Sequence, residues 1–352
     1  MPSVFKFILL PFSWLYGFIT FLRNKAYDRK IFKSYHSDLN TIVVGNLQVG
    51  GAGKTPMTAY LYKLLGAGSH TAILSRGYGR ESKGLLFANE NSNPKDIGDE
   101  SYWYYNVLKA PKVVVSESRS TGLKFLEKAN VRNVILDDAY QHRAIQADVY
   151  LLLSEFANPY YKDYPMPYGR LREYRTGDKR ADFIIITKCP PNLSIEKKIE
   201  MIGKCNPADH QEVFFTTLKY GSLRPIKGNH QVTKGEFNRI IAVSGIASTQ
   251  SFLNHCKELA PQVMDKSFGD HHKYSETDIK EINGLLDNDT IVICTEKDMV
   301  KIQSEWMSLL PENKYYSLPV ETGFLFQEDL KFAHSLNKCM KEKAALKKAI
   351  PD

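Results

Sequence analysis

"TIVVGNLQVGGAGKTPMTAYL", residues 41–61, decides how the rest of this chain is read. An apolar, β-branched run leads through a glycine-rich turn into a stretch with helical character. The turn fits the phosphate-binding pattern G-x-x-x-x-G-K-[ST] in its last three places, Gly53, Lys54 and Thr55, while Gln48 stands where the first glycine belongs. In such a loop successive backbone N–H groups and a helix N-terminus converge on phosphate oxygens. Lys54 would reach the β- and γ-phosphates and Thr55 would ligate Mg²⁺. Gly50, Gly51 and Gly53 allow a tight turn, so Gln48 weakens the pattern match without removing the mechanism. The competing reading is a glycine-rich strand–helix turn with no ligand.

Working outward, "HTAILSRG", "KVVVSES", "NVILDDAY", "ADVYLLLSE" and "DFIIITK" are predicted strands, and "RSTGLKFLEKAN" is a predicted helix. Continuous apolar strands between helices indicate a parallel sheet covered on both faces. The expected fold is therefore α/β, a P-loop NTPase-like, mostly parallel sheet with flanking helices. A Pro-, Tyr- and Arg-rich loop fills residues 158–180, and loops of that length are usually functional. From "RIIAVSGI" near residue 239 the alternation restarts, through the helix "STQSFLNHCKEL", the loop "FGDHHKYSETD" and the strand "TIVICTEKD", as a smaller α/β unit. The expected division is 1–35, an N-terminal apolar segment; 36–225, the P-loop core; and 226–352, the C-terminal unit carrying the Asp-His-His loop.

The net charge of +8 points to an anionic partner, nucleotide, nucleic acid or acidic lipid, or to a basic but inert surface. No segment arranges aromatic and basic residues as a base-stacking platform, which argues against nucleic acid. The five cysteines include no C-x-x-C pair and are odd in number, which fits a reducing cytosol and argues against a disulfide framework or a zinc site. The run from Phe7 to Leu22 is strongly apolar and is followed by Arg23, Lys25, Arg29, Lys30 and Lys33. It lacks a cleavage site for a signal peptide. A buried core helix and a true membrane span are alternatives. The favoured reading is a helix seated in the interface of an anionic leaflet, with Trp14 and Tyr16 at headgroup level.

Four further segments carry candidate chemistry. In "NVILDDAYQHR" an apolar strand ends in Asp137 and Asp138, the pattern of a Walker B metal carboxylate, or alternatively a turn or helix cap. In "PKDIGDESYWYY", Asp96, Asp99 and Glu100 cluster before an aromatic helix and could orient a hydroxyl or cap the helix. In "SFGDHHKYSETD", Asp270, His271 and His272 could form an acid–base unit, a metal-ligand pair or plain surface. Arg170, Arg172, Arg175, Lys179 and Arg180 surround Glu173 in the long loop, and Arg76 and Arg80 stand in "LSRGYGR"; both are candidate anion sites.

Seven stretches occur in one order: "VGNLQVGGAGKTP", "LSRGYGR", "IGDE", "VILDDAYQHR", "GRLRE…RAD", "FGDHHKY" and "TEKDMVK". Together they closely resemble the tetraacyldisaccharide 4'-kinase family, the lipid A 4'-kinases of Gram-negative bacteria. The resemblance implies ATP- and Mg²⁺-dependent transfer of the γ-phosphoryl group to the 4'-hydroxyl of a tetraacylated glucosamine disaccharide 1-phosphate. It implies nucleotide binding by Val49, Gly50, Gly51, Ala52, Gly53, Lys54, Thr55 and Pro56. It makes Asp99 and His271 a catalytic pair, with Thr55, Asp137, Asp138 and Glu173 on the metal side. Asn46, Arg76, Arg119, Gln141, His142 and Arg172 would bind substrate. The N-terminal segment matches the family's membrane anchor, which implies peripheral or monotopic attachment to the cytoplasmic face of the inner membrane; no protein partner is expected. Two departures stand out: Ala139 where the family has Gly, and Arg170 where it often has Pro. The rival reading is a membrane-attached P-loop ATPase switch without a sugar acceptor.

Overall fold

The computed structural model describes residues 7–68 and 70–349. Residues 1–6 of the expected N-terminal segment and 350–352 of the expected C-terminal unit lie outside the described residues.

Strand β1 (Asn40–Asn46) is buried from Thr41 onward because its neighbours are covered on both faces. It is central in a nine-stranded sheet. The other members are β2 (Thr71–Ser75), β3 (Leu86–Phe87), β4 (Val113–Val115), β5 (Asn133–Asp137), β6 (Val149–Glu155), β7 (Phe183–Thr187), β8 (Glu212–Tyr220) and a late arrival, Val320–Phe324. All are parallel except the two edges, Leu86–Phe87 and Val320–Phe324. Alternate residues point to opposite faces. Val43, Leu74, Leu136, Leu152 and Ile184 pack on one side with Leu123 and Leu126 of helix α4 (Arg119–Glu127). Ile42, Val44, Ile73, Ile135 and Leu151 pack on the other with Met57 and Leu61 of α2 (Lys54–Leu64) and Trp103 and Tyr104 of α3 (Asp99–Asn106). Each fully buried aliphatic side chain contributes about 1.5–3 kcal/mol, so neither face tolerates a polar stripe.

The chain next builds a five-stranded sheet from β9 (Arg224–Pro225), β10 (Arg239–Ser244), β11 (Gln262–Ser267), β12 (Thr290–Thr295) and β13 (Tyr315–Leu318). Helices α6 (Gln250–Leu259), α7 (Glu276–Asn283) and α8 (Glu296–Trp306) pack on it; α5 (Ile195–Cys205) precedes this unit in the chain. The expected boundary near 226 is close to where this unit starts, but its expected extent to 352 is not what forms. Strand β14 (Val320–Phe324) pairs antiparallel with β8, and α9 (Asp329–Ala349) buries Phe332 and Leu336 in the first unit. The physical reason is the sheet edge at β8. Phe214 needs a cover, and Phe332 and Phe324 supply it, their ring centroids 5.2 and 5.9 Å from it. The chain therefore crosses between units twice, after Tyr220 and at Pro319, and Gly221 N–H donates to Pro319 O (3.0 Å) across the crossings.

Helix α1 (Leu10–Asp28) is inside out. Its buried residues are Ser13, Gly17 and Thr20, whereas Phe12, Leu15, Phe18, Ile19 and Trp14 (66 % exposed) face away from the protein. Ser13 Oγ donates to Pro165 O (2.5 Å). Gly17 lies so near Tyr174 that an added Cβ would sit 2.6 Å from its ring. The helix thus docks on the 158–180 loop through small and polar residues. None of the described helices is long and apolar enough to cross a membrane.

Candidate active site

The glycine loop closes at the C-terminal end of β1, against the end of β5, where Val44 pairs with Asp137. Gly50 and Gly53 have φ of +113° and +81°, a region that disfavours any side chain. Gln48 needs no such freedom. Its Nε2 donates to Asp163 (2.7 Å), Val49 N–H donates to Arg170 O (2.8 Å), and Arg172 N–H donates to Leu47 O (2.7 Å). The missing glycine is thus a side chain that zips the phosphate loop to the long loop.

Lys54 Nζ lies 3.3 Å from Asn46 Oδ1 and 3.7 Å from Asp138 Oδ2. Thr55 Oγ1 donates to Glu100 (3.2 Å). Asp138 stands at φ +46° and is clasped by Arg172 through two contacts, 2.9 and 3.3 Å. The turn after β5 takes its left-handed residue at Asp138, not at Ala139, so the absent glycine at 139 costs nothing, and Ala139 packs into the core. Three carboxylates meet here. Burial pushes the Asp137 carboxyl up to about 7, aided by the charges of Glu100 and Asp138. Burial also raises Glu100, but Lys297 and Lys54 outweigh it and hold its carboxyl at about 2. Asp138 is likewise pushed up by burial and pulled below the usual range by Lys54 and Arg172. Asp137 Oδ2 is buried without a hydrogen-bond partner. No group of three or more His, Cys, Asp or Glu among the described residues could hold a metal unaided.

Across the cavity, His271 stands at φ +59° in the loop after β11, its backbone N–H donating to Gly245 O (3.1 Å). A left-handed, non-glycine residue at a site is strain of the kind found where function fixes the backbone. Its Nδ1 lies 3.6 Å from Asp99 Oδ2, and its ring packs on Tyr78, centroids 4.9 Å apart. Burial raises the Asp99 carboxyl, while His271 and Lys301 bring it below the ordinary value. His272 faces elsewhere, stacked on Phe268 (4.3 Å) and held by Asp278 (3.1 Å). Asp96 accepts from Asn93, the cap of the single turn Pro94–Ile97, and takes no part.

A cavity of about 720 Å³ joins these groups. It is lined by the whole of Val49–Pro56, by Arg76, Tyr78, Glu100, Arg119, Asp138, Gln141, His142 and Arg172, and from the second unit by Ile246, Ala247, Phe252, Asp270, His271 and Lys297. Asp99 stands one layer behind His271 and Glu100. One end of the cavity is cationic. Burial, with Arg119, Arg76 and Arg23, pushes the His142 ring down to about 4. Arg119 is 2 % exposed, and burial lowers its guanidinium to about 10 against the pull of Asp137 and Asp138. Among the described residues neither Arg76 nor Arg119 forms an ion pair.

Several sequence expectations need correction. Glu173 does not line the cavity and is not free for a metal. It is buried, clasped by Arg180 (2.8 and 3.0 Å), and accepts from Asn24 (2.5 Å) and Gln141 (3.1 Å). Of the basic loop residues, Arg172 faces the cavity; Arg170 pairs with Asp163, Arg175 donates to Tyr161 O, and Lys179 donates to Asn206 O. Arg80 pairs with Glu117. Asn46 lies just behind the lining, donating to Gln48 O (2.6 Å). Lys188, Lys297 and Lys301 were not singled out from the sequence. The last two sit four residues apart in "TEKDMVK", a spacing that puts both on one helix face.

Residues 5–341 match the profile of the tetraacyldisaccharide-1-P 4'-kinase family. Proteins named tetraacyldisaccharide 4'-kinase from Flavobacterium johnsoniae and Cytophaga hutchinsonii are 38 % and 37 % identical, over 92 % and 90 % of this chain and 94 % and 91 % of theirs. The crystal structure of LpxK from Aquifex aeolicus in complex with ATP superposes with a TM-score of 0.73 at 29 % identity, covering 96 % of this chain and 99 % of that one. By the match along nearly its whole length, this chain belongs to the tetraacyldisaccharide-1-P 4'-kinase family.

Proposed function

We propose that the protein is an ATP-dependent kinase that transfers the γ-phosphoryl group to the 4'-hydroxyl of a tetraacylated glucosamine disaccharide 1-phosphate. The observation that carries this reading is one cavity with a phosphate loop on one wall, His271 on the facing wall, and Asp99, from helix α3 of the first unit, 3.6 Å behind the imidazole. A phosphate loop alone is common to switches and hydrolases. The facing acid–base pair is what a hydroxyl acceptor requires.

The loop backbone from Gly50 to Thr55 and the Lys54 ammonium bind the triphosphate. The donors suit Mg²⁺, which favours a few carboxylates together with substrate phosphates. Thr55, Asp138 and Asp137, the last with an unpartnered oxygen, would hold it, and the ion would supply neutralisation of the phosphate charge. Arg172 keeps Asp138 fixed and adds a guanidinium beside Lys54. The sugar hydroxyl gives its proton to the Asp99–His271 pair. Asp99 stays ionised at neutral pH, and His271 orients the exchange from the cavity side. A weakly basic carboxylate suffices because the transition state is loose and the proton leaves late. Rate enhancement comes mainly from alignment and electrostatics.

The acceptor's 1-phosphate suits the Arg76–Arg119–His142 end, where cationic side chains lack carboxylate partners. The acyl chains suit the outward apolar face of α1, whose Tyr16 hydroxyl donates to Arg172 O (2.9 Å). That face, followed by Lys25, Arg29, Lys30 and Lys33, supports interfacial seating on an anionic leaflet, the cytoplasmic face of the inner membrane. The test uses radiolabelled ATP with and without tetraacyldisaccharide 1-phosphate in mixed micelles. Label is expected in the lipid, with little hydrolysis in its absence. Hydrolysis indifferent to the acceptor, with no labelled lipid, would establish the ATPase switch instead.

A further inference from the structure

The segment "TEKDMVK", Thr295–Lys301, has no part in the mechanism above, yet it opens α8 directly behind the acid–base pair. Thr295 caps the helix. Asp298, fully buried, accepts from Thr295 Oγ1 (2.7 Å) and from Gly245 N–H (3.0 Å). Gly245 O in turn accepts from the His271 backbone. One turn further, the side chain of Lys301 is 9 % exposed, and its ammonium lies 3.3 Å from Asp99 Oδ2 and 3.7 Å from Asp298 Oδ1. The first turns of one helix therefore brace the loop that carries His271 and set a cation against Asp99.

The plain alternative is that Lys301 balances the buried charge of Asp298. Both donors to Asp298 go to its Oδ2, and its Oδ1, without a hydrogen-bond partner, faces Lys301 at 3.7 Å. Lys301 stands nearer to Asp99, at 3.3 Å, and so serves both carboxylates. The other charges around Asp99 are accounted for. His271 faces it from the loop, and Glu100 beside it is taken by Lys297 (2.5 Å). Lys95, in the adjoining turn Pro94–Ile97, pairs with Glu305 of α8, and Asp96 accepts from Asn93. Strand β4, packed beneath α3, is Val113–Val115 and carries no charge. No other ammonium among the described residues pairs with Asp99.

We propose that Lys301 is a positioning residue for phosphoryl transfer, holding the Asp99 carboxylate in place and charged from the opposite unit. The inference rests on the reading of Asp99 and His271 as the proton-accepting pair. Its consequence is that the pair is competent only while α8 sits against α3. Lys301 is not among the residues lining the cavity, so its removal acts through the carboxylates it faces, Asp99 at 3.3 Å and Asp298 at 3.7 Å.

The experiment is the pH dependence of kcat and kcat/KM in the full-length enzyme, with Lys301→Met, Lys301→Gln, Lys301→Arg and Asp99→Asn compared with wild type. An ionised base loses activity as pH falls through its pKa. Without the cation the carboxylate protonates at higher pH, so in both neutral variants the acid limb moves upward by about one pH unit. At neutral pH kcat falls about tenfold, while KM for ATP stays within about twofold. Lys301→Arg keeps the acid limb of wild type. The idea is overturned by neutral variants with an unmoved acid limb and full kcat, by equal losses in Arg, Met and Gln at every pH, or by a rise in KM for ATP alone. If Asp99→Asn is inactive and the neutral variants match wild type, Lys301 has no such role and the assignment of the pair stands. If Asp99→Asn retains full kcat, the assignment of the pair itself fails. Circular dichroism melts of each variant separate misfolding from these outcomes, and Met and Gln provide independent neutral replacements.

Discussion

The wall of the cavity built on the nine-stranded sheet presents its chemistry from strand ends. The phosphate loop leaves β1, Asp137 and Asp138 leave β5, and each is fixed by a parallel ladder buried on both faces. The facing wall presents His271 from a loop and Lys297 from the first turn of α8, with Lys301 one turn behind it, on a five-stranded sheet joined to the first by two crossings. The first wall is an anion cradle set in a buried parallel sheet, and the second brings an imidazole and an ammonium against it, with Asp99 of the first unit behind the imidazole. Neither is a kinase alone. The division also separates two kinds of legibility, because the first wall's main groups fall in short local motifs, Val49–Pro56 and Asp137–Asp138, while His271 and Lys297 of the second are joined only through space.

The largest effect should come from the first wall. Lys54→Ala is expected to reduce kcat by about 10³-fold or more, since it removes the ammonium aimed at the transferred phosphoryl oxygens; a variant within tenfold of wild type in the radiolabel assay would break the reading of that wall. Arg119→Met should act on the acceptor and not on ATP. KM for the lipid should rise by about tenfold to a hundredfold, the loss of a charge-assisted contact worth about 1.5–3 kcal/mol, with KM for ATP unchanged. Equal effects on both substrates would merge the two ends of the cavity into one.

Helix α1 belongs to neither sheet; it gives the cavity Arg23, while its outward apolar face should separate anchoring from chemistry. Replacing Phe12, Trp14, Leu15 and Phe18 by Ser is expected to weaken binding to anionic vesicles by about 10²-fold or more, since each side chain forgoes about 1.5–3 kcal/mol of burial. Because these side chains already face outward, Tm should change by only a few degrees, unlike a core substitution. Vesicle sedimentation and calorimetry check the two halves of this expectation, and unchanged sedimentation would show that another surface anchors the protein. The smallest effect concerns His142. Its ring is held neutral, its pKa pushed down to about 4 by burial and three arginines. The unfolded chain binds that proton near its ordinary value of about 6.5, so the associated stability is present above that value and is lost as pH falls toward 4. His142→Gln should flatten the pH dependence of stability in this window, by at most about 2 kcal/mol, since the ring is partly solvated.

What the sequence left unread follows the same physical line. Gln48 violates a local pattern for a non-local reason, its hydrogen bond to Asp163. Glu173 and Arg180 both looked available in a charged loop, but they consume one another, and charge counting does not show pairing. The return of β14 and α9 to the first sheet leaves no periodic signal, because α9 is largely polar apart from the few residues, Phe332 and Leu336 among them, that cover Phe214. The tandem histidines divide into a cavity residue and a structural one by a single left-handed backbone at His271, a conformation that histidine adopts more readily than most residues but that does not tell His271 from His272 in sequence. The core strands, the glycine loop and the paired aspartates were readable because their determinants lie within a few residues of each other.

The central claim is that the two walls act on the proton as one unit, and a double-mutant cycle on Asp99 and His271 tests it most directly. Asp99→Ala and His271→Ala are each expected to lower kcat by about 10²- to 10⁴-fold, and the double variant should be no more than a few-fold worse than the poorer single one, as for residues that function jointly. Losses that multiply, so that the double variant falls by the product of the two, would contradict the account and assign the residues to separate tasks.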